Sequence, residues 1–318
     1  MIDPVVLFFL LGACARVLRS DLRVPEPLYD ALSIYLLVAL GLKGGAELSH
    51  ALAPSLAGQA LLAVAMGCVL PLLAFALLRF LGRLDRSNAA AIAAHYGSVS
   101  VVTFAAALTY LGTRDIASEP TMPLFVVLLE VPGLLVGVLL ARMGTGRSAG
   151  AAHPGLGPIL RDALVGKSVV LLIGGLLAGA LLGPEGLAPV KPFFGDLFKG
   201  ALCLFMLELG LVAGGQLGAL RQAGPFLAAF ALLVPPVFGA IGAGFGWLMG
   251  LSHGGIALMA TLAASASYIA APAAMRMSVP EANPALSISI VLGVTFPFNL
   301  LAGIPLYERM AARIAGSA

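Results

Sequence analysis

The chain has 318 residues, 60% of them hydrophobic and 10% charged, with a net charge of +3 and a mean hydropathy of +1.03. A soluble domain carries roughly a quarter charged residues, so a water-soluble globule is excluded. In a bilayer only helices and closed barrels satisfy the backbone, and these apolar runs of about twenty residues lack the strict alternation of a barrel.

The first run, Pro4 to Leu18, has neither a basic segment before it nor a small-residue cleavage site after it, and reads as a retained helix rather than a signal peptide. Leu28 to Leu42, Pro54 to Phe80, Asn88 to Tyr110 and Thr121 to Arg142 follow. Beyond Gly144 to Pro158, a stretch rich in Gly, Ala and Ser, come Lys167 to Leu182, Phe193 to Ala213, Pro225 to Met249, Gly254 to Met275 and Pro284 to Tyr307. The expected fold is an all-α polytopic membrane protein of about ten spans. The 39 glycines and 21 prolines suggest closely packed and discontinuous helices. Cys14, Cys68 and Cys203 each lie in an apolar run, without the spacing of a zinc site or a disulfide framework.

Lys and Arg set the orientation. With the N-terminus outside, the inner loops hold Arg16, Arg19, Arg23, Arg79, Arg83, Arg86, Arg142, Arg147, Arg161, Lys167, Arg221 and Arg276. The outer side keeps Lys43, Arg114, Lys191, Lys199, Arg309 and Arg313, a bias of about two to one. Both termini are therefore expected outside a cell (inner) membrane, with the central linker cytoplasmic. No basic run with interleaved aromatics points to nucleic acid.

The linker divides the spans into a first repeat over residues 1–143 and a second over 165–318, with the linker itself at 144–164. An odd number of spans per half inverts the second half in the membrane, the plan of many secondary transporters. ALGLKGGAEL (Ala39 to Leu48) and ELGLVAGGQL (Glu208 to Leu217) align without a gap, pairing Gly41 with Gly210 and Gly45 with Gly214; at the same offset Ser98 falls on Ser267. The expectation is two inverted five-helix repeats.

The fourth span holds AAHYGSVSVVTF, with Gly97, Ser98, Val99, Ser100 and Thr103 close together; the ninth holds AASASYIAAPAAMR, with Ala264, Ser265, Ser267 and then Pro272. Glycine permits unwound backbone and proline suits the first turn of a helix, so helices four and nine are expected to be broken, restarting near Ser98 to Ser100 and near Pro272. At such breaks free amides and the helix dipole favour an anion, while carbonyls and hydroxyls suit a dehydrated Na+. The other reading is that the small residues only let helices pack closely. Candidate Na+ ligands are Ser98, Ser100, Ser267, Glu130, Thr295 and Asn299.

Glu130, in LLEVPG, is a mid-span carboxyl that must face protein, water or an ion. Cation coordination, proton coupling and a hydrogen-bonded, protonated structural carboxyl all fit it. Glu208, beside no break, reads as structurally paired. His95 either lines the cavity or is a satisfied core histidine, and Thr295 and Asn299 either bind a ligand or heal the backbone opened by Pro297. No zinc-protease, paired-aspartate or nucleophile-elbow motif is present, and nothing orients His95 and Ser98 as a catalytic pair, so an enzyme is not expected. A secondary transporter without cofactors is.

GLKGGAEL, AAHYGSVSVVTFAAAL, AASASYIAAP and the segment from Val279 to Tyr307 resemble, in order and over nearly the whole chain, the sodium-dependent bicarbonate transporter family best known from cyanobacterial carbon concentration. The resemblance implies a trimer in the lipid membrane. Each protomer would have a gate domain from spans one, two, six and seven and a core domain that carries bicarbonate with Na+ by an elevator movement. It places the substrate at Gly97, Ser98, Val99, Ser100, Thr103, Ala264, Ser265 and Ser267. Another small anion or monocarboxylate, coupled to Na+ or to H+ through Glu130, is the alternative. Two departures stand out: Tyr268 where cyanobacterial members have an Asp, and Ala94, His95, Tyr96 and Gly97 where they have Gly-Leu-Phe-Gly. The family's long cytoplasmic segment is reduced to Gly144 to Pro158, so a PII-like regulatory partner stays an open expectation.

Overall fold

The computed structural model describes residues 3–48, 56–143, 157, 160–161 and 164–316, and the structural statements below concern these residues. The linker expected over Gly144 to Pro158 lies outside them, apart from Gly157. The fold is all-helical, 85% helix, with no strand among the described residues. Eight helical runs are long and apolar enough to cross a membrane, and Pro4–Val17 and His253–Ala264 are apolar but shorter.

Helix α1 (Pro4–Val17) starts at Asp3, whose carboxylate accepts from the Val5 amide at 2.8 Å, with proline in the first turn where its missing N–H costs nothing. α2 (Glu26–Leu48) runs past the expected end at Leu42, because Lys43 and Glu47 stay exposed while Gly44, Gly45 and Ala46 remain buried. α3 (Leu56–Leu81), α4 (Arg86–Gly97), α5 (Val101–Gly112), α6 (Met122–Arg142) and α7 (Lys167–Leu187) follow. One helical run, Phe198–Leu248, turns at Gly224 (φ 85°, ψ 164°), a conformation only glycine adopts cheaply, and so yields two apolar spans, α8 (Phe198–Gln216) and α9 (Ala223–Leu248). α10 (His253–Ala264), α11 (Ala270–Ser278) and α12 (Pro284–Ala315) complete the fold. α12 passes Pro297 by widening into π-helical turns at Val291–Thr295 and Asn299–Gly303.

Small residues decide how the helices meet. α2 lies on α7 so closely that a Cβ at Gly45 would sit 2.0 Å from the Leu176 carbonyl oxygen, and one at Gly179 2.2 Å from that of Leu42. α1 lies on α8 in the same way: a Cβ at Gly12 would be 2.0 Å from the Leu207 oxygen, and one at Gly210 2.1 Å from that of Phe9. Without a hydrophobic driving force between helices in lipid, such close backbone approach supplies the attraction.

The remaining helices surround the two interrupted segments, α4–α5 and α10–α11. Gly97, the last residue of α4, is wedged between α3 and α6: its Cβ would lie 2.6 Å from Pro71, and a Cβ on Gly133 would lie 2.1 Å from the Gly97 carbonyl carbon. The heads of the two segments are held by loops from the opposite segment. Asp85 caps α4 through the Asn88 amide, and Asn88 Oδ1 accepts from the Asn283 amide at 2.7 Å. Ser252 caps α10 through the Gly255 amide, and the Ser252 amide itself donates to the Glu119 carboxylate.

Candidate functional site

Both expected breaks are present. Ser98 (φ −106°, ψ 142°) and Ser100 (φ −109°, ψ 112°) are extended, which stops α4 and lets Ser100 cap α5 by accepting from the Thr103 amide at 3.2 Å. Ser265 (φ −80°, ψ 167°) ends α10, and α11 begins at Ala270, so Pro272 falls in its first turn as its chemistry requires.

The two breaks are bonded to each other. The His95 carbonyl accepts from the Ser267 amide at 2.8 Å, and His95 Nδ1 donates to the Ser267 carbonyl at 2.6 Å. Because a carbonyl only accepts, Nδ1 carries the proton and His95 is a satisfied core histidine, 1% exposed. The Ser100 amide donates to Ser265 Oγ at 2.9 Å, and that hydroxyl in turn donates to the Leu262 carbonyl at 2.8 Å.

The other candidates take defined places around this crossing. Ser98 Oγ donates to the Glu130 carbonyl at 2.9 Å, tying the first break to α6. Ser267 Oγ accepts from the Ala271 amide at 3.3 Å, steadying the start of α11. Asn299 Nδ2 donates to the Ala264 carbonyl at the end of α10, at 2.8 Å, while Asn299 Oδ1 accepts from Tyr307. Thr295 Oγ1 donates to the Ala231 carbonyl at 2.8 Å and lies 2.6 Å from the Tyr96 hydroxyl. Thr295 and Asn299 therefore reach other helices instead of healing their own. Gly97, Val99 and Thr103 are buried within the same crossing. Glu130 is buried with Oε2 unpartnered, facing the Ser168 hydroxyl of α7.

With Ser98 to Ser100 extended, the carbonyls that would continue the helix are carried away, and the amides of Val101 and Val102 find no acceptor among the described residues. They begin the positive end of α5. Val101 and Val102 also line a small cavity of about 20 Å³, with Ile269 from the second break and Ser33, Ser168 and Phe205 from α2, α7 and α8. Leu40 of α2 lines both this cavity and a cleft of about 770 Å³, which lies between α2 and the end of α5 beside Lys43, Lys191 and Lys199. Among the described residues no group of three or more His, Cys, Asp or Glu gathers to hold a metal, so a cation here would rest on hydroxyl and carbonyl oxygens.

Sequence reasoning missed Ser33 and Ser168, single serines in apolar helices with no local signal. It noted Tyr268 only as a departure. The Tyr268 hydroxyl is buried without a hydrogen-bond partner, beside Ser100, and its ring lies edge-on to Phe296 at 5.5 Å between centroids.

Two interrupted helices bonded to each other within a polyhelical membrane fold are the arrangement of membrane transport proteins. A family comparison makes this specific: residues 4–312 match the Na+-dependent bicarbonate transporter superfamily, and the chain belongs to it. Comparison with curated proteins finds no match.

Proposed function

We propose that the protein takes up bicarbonate together with Na+ by an elevator movement of the interrupted helices against the glycine-packed pairs. The single observation that carries the reading is that Val101 and Val102, whose amides are unpaired, line a cavity bounded on one side by the broken segments and on the other by α2, α7 and α8. An anion there is met by backbone dipoles, and a coupled cation by the hydroxyl oxygens of Ser98, Ser100 and Ser267 with Glu130, Thr295 and Asn299 around them. The interrupted segments, bonded break to break with α3, α6 and α12 around them, have the cohesion of a core that moves as one piece. The α1–α8 and α2–α7 pairs supply a gate drawn from both halves.

Two inverted repeats of five spans fit the same arrangement. Gly41 and Gly45 meet the Leu172 and Leu176 carbonyls, while their aligned partners Gly210 and Gly214 meet those of Phe9 and Ala13. The two shorter apolar helices complete ten spans with the eight longer ones. A homotrimer in the inner membrane, with both termini outside and the linker cytoplasmic, completes the proposal. A PII-like partner would have to act through that linker.

A second reading, H+-coupled transport of another small monocarboxylate, draws on the buried and unpartnered Glu130 Oε2. Uptake of labelled bicarbonate into proteoliposomes, with and without an inward Na+ gradient and beside acetate and bile-acid controls, separates the two. Bicarbonate uptake that rises with the Na+ gradient is expected. Acetate uptake driven by a proton gradient favours the second reading, and no uptake of any solute under any gradient removes the transport claim.

A further inference from the structure

The cavity has two walls of different origin. Val101, Val102 and Ile269 belong to the interrupted segments, whereas Ser33 stands on α2, in the glycine-packed pair opposite. Ser33 is 8% exposed, lines the cavity and has no hydrogen-bond partner among the described residues. A hydroxyl inside a helix ordinarily bonds to the carbonyl four residues back, as Thr109 does to Ala105 at 2.9 Å and Thr261 to Ala257 at 2.8 Å. Ser33 makes no such bond.

Packing does not ask for a serine here. At the repeat offset that pairs Gly41 with Gly210, Ser33 falls on Leu202 of α8, which is 0% exposed. An apolar side chain fills the aligned position, so the polar one on α2 answers to the cavity it faces. A hydroxyl without a protein partner in the wall of a cavity is free to bond a ligand or a water there.

Resting on the anion reading of the crossing, we propose that Ser33 is the second anchor of the transported ion, donating to one of its oxygens while the Val101 and Val102 amides hold another. The ligand class is then a small oxyanion able to bridge the two walls, and a halide, with a single atom, cannot. Leu36, Leu37 and Phe205 close the remaining space against a bulkier body. In this conformation the cavity has room for about one water-sized group, so a bicarbonate-sized ion enters as α2 and α5 part. A ligand held from both walls also loses Ser33 when the interrupted segments move, which lowers its affinity on the release side.

The test compares wild type with Ser33→Ala in proteoliposomes, reading KM and Vmax for bicarbonate, and in detergent, reading melting temperature with and without bicarbonate. A KM about tenfold higher is expected, with Vmax and the ligand-free melting temperature unchanged and the stabilisation by bicarbonate reduced. Unchanged KM, a fall confined to Vmax, or a lower ligand-free melting temperature would each overturn the proposal, the last by showing a structural role. A wild type that neither transports nor is stabilised by bicarbonate fails at the anion reading itself, whatever Ser33→Ala does.

Discussion

At the residue scale, the crossing is held by side chains that bond across it. His95 bonds to the Ser267 carbonyl and Tyr96 to Thr295, each joining the first half of the chain to the second. Replacing His95 by Phe leaves that carbonyl buried and unpaired, a loss of about 1–3 kcal/mol that lowers the melting temperature in detergent. The hydroxyls at the breaks make a second prediction. Ser98→Ala and Ser267→Ala each raise the KM for bicarbonate roughly tenfold, because each removes a bond that shapes the break or a contact to the ion. Ser289→Ala, whose hydroxyl donates to the Leu286 carbonyl of its own helix, serves as control. Wild-type kinetics in both site variants would leave close packing as the whole role of these serines. Ser98, Ser265 and Ser267 were legible as a set because hydroxyls cluster beside Gly and Pro. Their partners were not, since a hydrogen bond across 165 or 172 residues leaves no trace in local sequence.

At the element scale, the glycine contacts are sharp enough to test. A Cβ on Gly133 would overlap the Gly97 carbonyl at the first break, so Gly133→Ala pushes α6 off the end of α4, and a loss of folded yield with about 1–3 kcal/mol of stability is expected. Gly41→Ala and Gly210→Ala act at aligned positions of the two helix pairs, and the repeat reading predicts matched falls in melting temperature. Strongly unequal falls would count against it. Asp85, which caps α4 outside the membrane, carries a pH dependence. Burial pushes its carboxyl up, but the hydrogen bonds from the Asn88 amide and side chain outweigh this and hold its pKa below the ordinary value. A carboxyl whose folded pKa is depressed contributes stability above its unfolded value of about 3.9, and that contribution is lost as pH falls through the folded one. Asp85→Asn keeps an effective cap and removes the titration, so the fall in melting temperature below about pH 4 should flatten. An unchanged acid limb would sink that assignment.

At the scale of the whole molecule, the Lys and Arg count predicts the orientation, and cysteine labelling checks it. Single cysteines placed in the Thr113 to Glu119 loop should react with an impermeant reagent from outside, and cysteines in the Gly144 to Pro158 linker should not. The reverse pattern would invert the topology. The membrane class, the eight long apolar helices and the two breaks were legible in the sequence because each is a local property: apolar length, and Gly, Ser and Pro where the backbone must unwind. The end of α2 was less so, since a helix continues for as long as its neighbour supports it.

The sequence alone determined that the chain lies in a membrane and breaks two of its helices near aligned serines. Composition and local spacing set the cost of every alternative to that arrangement. Only the tertiary structure decided that the breaks bond to each other, that the first amides of α5 are left without acceptors, and that a serine from α2 lines the same cavity as those residues. Those are distances between residues far apart in the chain, and they exist only once glycine packing has brought the helices within reach.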